Sequence, residues 1–436
     1  MSKNNENKLV PRLRFPEFRN ESWKDSELSK LGKTINGLNG KSSEDFGTGK
    51  PFVTYKQVFD SAKVDLSKCG RVVIKENENQ NTLLKGDILF TTSSETPHEV
   101  GYASVVLNEP NEPTYLNSFC FSFRPFSLKQ LQPEFSQYLF HSPTYRKSIG
   151  VLAQGITRFN ISKGAFLKIK VPLPKNPIEQ QKIAACLSSL DDVITAESKK
   201  LEVLKEHKIG LLQNLFPQEG ETVPKLRFKE FEDSGEWVQT YLEENCQVKG
   251  RIGFRGYTTE DLVGQGEGAL VFGGKHIQNQ MLELKNPTYL SWEKYYESPE
   301  IMVEVGNIIF SQRGTLGDCA IIDKEIGPAT INPSMVLLKN INCNAKFLFF
   351  ILISDRIQNE VQKYRAMGAI PMLSQKQIKE FSFLIPKNPE EQQKIADTLS
   401  SIDDLINAQS QKIETLKLHK KGLLQGLFPD VNEHNG

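Results

Sequence analysis

Two stretches of the chain show the clearest alternation of apolar and polar positions. In the first, apolar residues recur at Ile183, Leu187, Leu190, Ile194, Leu201, Leu204, Leu211 and Leu215. In the second they recur at Ile395, Leu399, Ile402, Ile406, Ile413, Leu416, Leu423 and Leu427. Steps of four and three of this kind make the narrow seam along which one helix packs on another. No proline interrupts either seam, and good helix formers fill the positions between. Pro177 and Pro389 suit first helical turns, and the Leu-Phe-Pro endings at Leu215–Pro217 and Leu427–Pro429 act as stops. The pattern predicts two long helices. An amphipathic helix lying on a globular core is the plainer alternative, but two nearly identical seams in one chain favour pairing with each other.

Polar residues break the seams at matching places, Glu197 and Lys208 in the first and Gln409 and Lys420 in the second. In an antiparallel pairing Glu197 would face Lys420 and Lys208 would face Gln409, polar layers that fix register at some cost in stability.

Elsewhere the pattern is shorter. "KGDILFTT" from Lys85 and "VGNIIFSQ" from Val305 read as glycine turns into short buried strands. Aromatic-rich stretches predict a helix over roughly Pro133–Leu152 and a counterpart near Lys346–Tyr364. The expected class is mixed α/β (α+β), with two globular parts and two long helices in an antiparallel coiled coil.

Self-comparison gives the organisation. Leu173–Gln218 aligned without gaps on Ile385–Asp430 is identical at 31 of 46 positions. A weaker echo opens each half, "VPRLRFPEF" from Val10 and "VPKLRFKEF" from Val223, followed by Trp23 and Trp237. The expected layout is a globular part over 1–172 with its N-terminal arm, a helical spacer over 173–218, a second globular part over 219–384, a second spacer over 385–430, and a tail over 431–436. This is an internal duplication with a pseudo-twofold axis.

Composition changes little. With 54 Lys and Arg against 53 Asp and Glu, the net charge of +1 excludes a strongly basic protein but not a local positive face. The N-terminus is polar and lacks the apolar stretch of a signal peptide, and the longest apolar run, Phe347–Ile353, is too short to span a bilayer. Six scattered cysteines without a CxxC pair suit free thiols in a reducing cytoplasm.

A pseudo-twofold protein with two unlike heads matches a double helix, whose backbone repeats under twofold rotation while its bases differ. A helix of about 35 residues is roughly 50 Å long, on the order of 15 base pairs. In this layout the sequence resembles the specificity (S) subunit of type I restriction–modification systems, from about Val10 to Pro429. The carriers are "NPIEQQKIAACLSSLDDVI" and "NPEEQQKIADTLSSIDDLI", the endings "GLLQNLFP" and "GLLQGLFP", the "KGDILF" and "VGNIIF" strands, and the paired openings. The resemblance implies a non-catalytic subunit with two target-recognition domains that read a bipartite, asymmetric site in double-stranded DNA. It implies docking of two methyltransferase (M) subunits that modify adenine at N6, and of two motor-nuclease (R) subunits. S-adenosylmethionine, ATP and Mg would then sit on those partners, with no cofactor or metal on this chain. The rival readings are a coiled-coil adaptor with two protein-binding heads and no DNA, and a stand-alone enzyme whose active site the motifs do not reveal.

The sequence carries no motif for the chemistry this reading denies. The N/D/S-P-P-[YFW] loop of amino-methyltransferases is absent. So is GxxxxGK[ST]: "GTGKP" at Gly47–Pro51 lacks the upstream glycine, and "GQGEG" at Gly264–Gly268 is not a GxGxxG. The six histidines show no HExxH spacing. Asp191–Asp192 and Asp403–Asp404 lie mid-spacer, where surface charge or docking is the simpler account.

DNA contact is expected from polar loops in the heads, because Arg, Lys, Asn, Gln, Ser and Thr read base edges. The first head offers Tyr55, Lys56 and Gln57; Thr92, Ser93, Ser94 and His98; and Gln154, Thr157, Arg158 and Asn160. The second offers Lys275, His276 and Gln278; Ser311, Gln312 and Arg313; and Arg365 and Gln375. Each could instead be an ordinary solvated loop residue. Arg158 and Arg313, in glycine-flanked loops matched between the halves, are the strongest candidates.

Overall fold

The structure, a computed structural model, describes residues 9–97, 99–365 and 371–429. The chain forms two compact units, residues 1–198 with 411–436, and residues 199–410. The boundaries fall inside the two long helices, Pro177–Leu215 and Pro389–Leu427. Each unit therefore holds one half of each helix.

In the first unit a four-stranded antiparallel sheet runs in the order Gly32–Asn36, Cys120–Pro125, Ile88–Thr91, Ala103–Val105. A second sheet pairs Phe46–Val53 antiparallel with Gly70–Val72 and parallel with Tyr115–Leu116. Trp23–Glu27 pairs with Lys170–Pro174, which leads into the first long helix. The second unit repeats this plan in unrelated sequence. Its antiparallel sheet runs Gln247–Gly250, Met335–Lys339, Ile308–Ser311, Cys319–Ile321. Gly268–Phe272 pairs in parallel with Ala329–Ile331, and Val238–Tyr241 with Ser382–Ile385.

The matched strand motifs have a local cause. Gly86 and Gly306 take φ of 88° and 87°, a left-handed turn that glycine adopts without Cβ strain. The next side chain closes the turn: Asp87 accepts from the Leu84 N–H at 2.9 Å, and Asn307 from the Glu304 N–H at 3.1 Å. Ile88–Thr91 and Ile308–Ser311 then run wholly buried. "GTGK" is a bulged part of a strand, with a register shift between Phe46 and Lys50.

The helices expected over 133–152 and 346–364 are each two. Pro133–Leu139 and Pro143–Gly150 are separated because Ser142 caps the second, accepting from the Tyr145 N–H at 3.3 Å. Ala345–Ile353 and Asp355–Arg365 part at Ser354. Among the described residues no helix is long and apolar enough to cross a membrane.

The duplicated motifs lock each head to a helix start. Glu179, the acid of the first E-Q-Q, accepts from Arg14 Nε at 2.8 Å, Arg14 Nη2 at 2.9 Å and Trp23 Nε1 at 3.0 Å. Glu391 does the same with Arg227 Nε and Nη2, both at 2.8 Å, and Trp237 Nε1 at 3.2 Å. Gln180 and Gln392 follow, accepting from the Gln132 and Asn344 N–H groups at 3.1 and 3.2 Å. The Leu-Phe-Pro stops complete the cores. Phe428 packs in the first unit 5.9 Å from Trp23 and 5.5 Å from Phe135. Phe216 packs in the second unit 6.2 Å from Trp237 and 5.6 Å from Phe347.

The long helices run antiparallel within each unit, but not in the register expected from the seam. Lys420 pairs with Asp191 rather than Glu197, and Glu197 with Lys412 at 2.5 Å. Lys208 pairs with Asp403 at 2.7 Å rather than with Gln409. The observed pairing is about one heptad from the expected one. A slide of seven keeps apolar residues on apolar residues, so the seam alone does not distinguish the two. The heads do. Tyr138 donates to Asp191 at 2.9 Å, and Lys420 lies 5.6 Å over its ring; Lys208 lies 5.8 Å over Phe350. Burial raises the pKa of the Asp403 carboxyl, with Lys208 opposing. Exchanging the charges, Asp191→Lys with Lys420→Asp, should restore most of the roughly 1 kcal/mol that each single change costs the first unit in denaturant melts. Exchanging Glu197 with Lys420 should restore nothing.

Candidate nucleic-acid interface

In the first unit the strand Ile88–Thr91 delivers the polar stretch at 92–94 to one end of its sheet. There the Thr92 N–H donates to the Phe119 carbonyl at 2.9 Å, and the Ile161 N–H to the Thr92 carbonyl at 3.1 Å. Ser93 and Ser94 pair with Asn160 and Phe159. Tyr55, at the start of the helix Tyr55–Asp60, donates its hydroxyl to the Ser93 carbonyl at 2.7 Å. Three stretches singled out separately by sequence thus meet at one place.

The outward side chains there are Lys56, Gln154, Thr157, Arg158 and Asn160, with Thr92 half-buried. The others serve the scaffold. Ser93 and Ser94 are buried, and Ser94 donates to Glu99 at 2.9 Å. Gln57 gives its amide to the Asp65 carbonyl. Tyr55 is committed to Ser93, and burial raises its phenol pKa. In this structure Ser93 and Ser94 are buried, and Tyr55 and Gln57 spend their side chains on the Ser93 and Asp65 carbonyls, so these four hold the loop rather than face outward. His98 lies outside the described residues.

The second unit repeats the convergence. The Leu373 N–H donates to the Gln312 carbonyl at 2.9 Å, and Arg313 bridges to Met372 in antiparallel fashion. A Cβ on Gly274 would lie 3.1 Å from Thr315 Oγ1, so the Lys275–His276 stretch adjoins the same loop. Arg313 is exposed, its guanidinium 2.9 Å from the Met372 sulfur. Lys275 is exposed and donates to Thr288 Oγ1 at 2.9 Å, and Gln278 lies outward on the hairpin Ile277–Gln278/Met281–Leu282. Gln312 is half-buried, its amide donating to the Pro333 carbonyl at 2.9 Å.

Several second-unit candidates are also supports. Ser311 is fully buried and donates to the Arg313 carbonyl at 3.1 Å. His276 is 1% exposed and accepts from the Gly273 N–H at 3.0 Å, and burial lowers its pKa. Arg365 is exposed, with one guanidinium N–H donated to the Leu316 carbonyl, so it stays among the outward candidates. Gln375 is half-buried at the start of Gln375–Lys379, against Gly250.

Sequence reasoning missed Phe119 and Ile156, which are 55% and 95% exposed beside the first-unit cluster. A single apolar letter in a polar loop carries no periodicity, so no pattern marked them. It also missed the carboxylates of Glu179 and Glu391, whose partners lie more than 150 positions away.

Comparison with known proteins places these units. A family model described as the type I restriction modification DNA specificity domain matches residues 20–206 and 277–418. A sequence described as the MjaX type I restriction enzyme specificity subunit of Methanocaldococcus jannaschii is 26% identical over 421 residues, covering 94% of this chain and 93% of that one. The MjaVIII specificity subunit of the same organism is 25% identical over 302 residues, covering 67% and 69%. The crystal structure of a type I restriction-modification S subunit from M. genitalium shares the fold at a TM-score of 0.58. It is 17% identical and covers 97% of this chain and 100% of that one. A chain from a structure of type I R-M complex assembly matches at 0.59, with 15% identity and coverage of 93% and 97%. The two units are therefore those of a DNA specificity protein. The chain belongs to the type I restriction–modification specificity (S) subunit family.

Proposed function

We propose that this chain is the non-catalytic sequence reader of a type I complex. Each unit recognises one half of a bipartite, asymmetric site in double-stranded DNA, and the paired helices set the interval between the halves. The observation that carries this reading is one scaffold used twice with unlike outward side chains: Lys56, Gln154, Thr157, Arg158 and Asn160 in one unit, Lys275, Gln278, Arg313 and Arg365 in the other. Like scaffolds position; unlike side chains choose bases.

The helices support the docking of two adenine-N6 methyltransferase subunits, with motor-nuclease subunits joining them. Ser189, Asp192 and Ala196 on the first helix are solvent-facing or half-buried, as are their identical counterparts Ser401, Asp404 and Ala408 on the second. Val193 and Leu405 stand among them, 44% and 53% exposed. Identical residues exposed at matching places on both helices suit two copies of one partner. S-adenosylmethionine, ATP and Mg belong to those partners.

Methylation-sensitive sequencing of DNA from cells expressing the chain with its methyltransferase tests the proposal. A bipartite motif methylated at adenine in both halves is expected; an active partner with no new motif would sink it. Arg313→Ala should then relax one half of the motif by about 1–3 kcal/mol of discrimination, leaving the other half and assembly unchanged. Loss of assembly would place Arg313 in the fold rather than at the DNA.

A further inference from the structure

Ile156 stands at the tip of a short hairpin in the first unit and is 95% exposed. The hairpin is closed by reciprocal backbone bonds, the Gln154 N–H to the Asn160 carbonyl at 3.0 Å and the Asn160 N–H to the Gln154 carbonyl at 2.8 Å. It is tight: Gly155 has φ of 142°, and a Cβ there would lie 2.0 Å from the Arg158 carbonyl oxygen. Only glycine fits at this close approach of the two backbone arms. Isoleucine is itself stiff at χ1. The result is an apolar side chain presented to solvent at the tip of a backbone-bonded turn.

Its surroundings give that point a use. The Arg158 guanidinium lies 5.7 Å over the ring of Phe119, which is itself 55% exposed. Phe119 is tied to the loop at Thr92 by the 2.9 Å backbone bond. A guanidinium held over an aromatic face by cation–π attraction keeps its edge donors available. The tip thus offers an aliphatic group and an oriented cation two residues apart. A major groove admits a two-stranded ribbon, its apolar feature is the C5-methyl of thymine, and arginine pairs bidentately with guanine.

Resting on the DNA-reading function above, we propose that Ile156 reads the C5-methyl of one thymine in the first unit's half-site, with Arg158, oriented by Phe119, on a neighbouring base pair. The methyl would be buried against the Ile156 side chain, an apolar contact that no hydrogen bond replaces.

The test uses the full chain assembled with its methyltransferase and duplexes carrying the methylated motif. Each thymine of the first half-site is replaced in turn by uracil, which removes only the methyl. At one position the wild-type complex should bind roughly threefold to fivefold more weakly. Ile156→Ala should bind the thymine duplex more weakly by a similar factor and show no further loss on uracil at that position. Ile156→Val, still branched, should keep part of the sensitivity. Because the side chain lies in solvent, these changes leave the fold intact. Equal thymine and uracil binding by the wild type at every position, or uracil sensitivity unchanged in Ile156→Ala, overturns the proposal. A rise in 2-aminopurine fluorescence without uracil sensitivity would make Ile156 a wedge between base pairs, and also overturns it. Failure of the wild-type complex to bind any duplex would instead remove the DNA-reading function itself.

Discussion

Glu391→Ala is expected to cost the second unit about 3–5 kcal/mol, the usual result of stranding one partner of a buried ion pair. The Glu391 side chain is 1% exposed and Arg227 is 7% exposed. Both carboxylate oxygens accept from the guanidinium, and one also takes the Trp237 indole N–H. Alanine leaves the buried Arg227 cation without its counter-charge, with the Gly235 carbonyl at 2.7 Å still accepting from it, and leaves the Trp237 indole N–H without its acceptor. Glu391→Gln, which keeps an acceptor without the charge, should lose less. Hydrogen exchange locates the effect: protection should fall in Val238–Tyr241 and Ser382–Ile385 and persist in Trp23–Glu27 and Lys170–Pro174. Glu179→Ala should give the mirror image. A loss spread evenly over both units, or none at all, would show that the carboxylate is not the latch described.

Phe428→Ala should destabilise the first unit by about 3–5 kcal/mol, the cost of emptying a buried aromatic site. Phe428 is 2% exposed between Trp23 and Phe135, and Leu427 beside it is also buried in that core. The residue comes from the opposite end of the chain, yet it fills the core that the N-terminal strand begins. Limited proteolysis should therefore cut first within residues 9–174 of the variant, leaving the second unit resistant. Phe216→Ala should reverse the order of cutting. Early cleavage confined to the C-terminal end itself would mean that Phe428 is a frayed end and not part of the core.

Much of the fold was legible in the letters. The seam predicts long helices starting at Pro177 and Pro389, and those helices run from these residues to Leu215 and Leu427. The self-similarity announces one plan used twice, and the structure repeats the strand pairing even where the letters diverge. The polar stretches at 92–94, 154–160 and 312–313 were visible as loops. Their meeting was not, because adjacency across a sheet end depends on strand order, and no local pattern encodes that. Nor could letters separate Arg313, which faces outward, from Ser311, which is buried two positions earlier.

By itself the sequence determined the duplication, the two helices with their ends, and the polar loops that separate one head from the other. These follow from periodicity, proline and glycine, whose effects act within a few residues. Tertiary structure decided the rest. It turned the repeated E-Q-Q into a latch on Arg14 and Arg227, and the Leu-Phe-Pro stops into core residues. It also fixed the helix register on Asp191–Lys420 and Asp403–Lys208. A heptad seam is unchanged by a slide of seven, so only the heads, packed on the helices through Tyr138 and Phe350, could choose between registers.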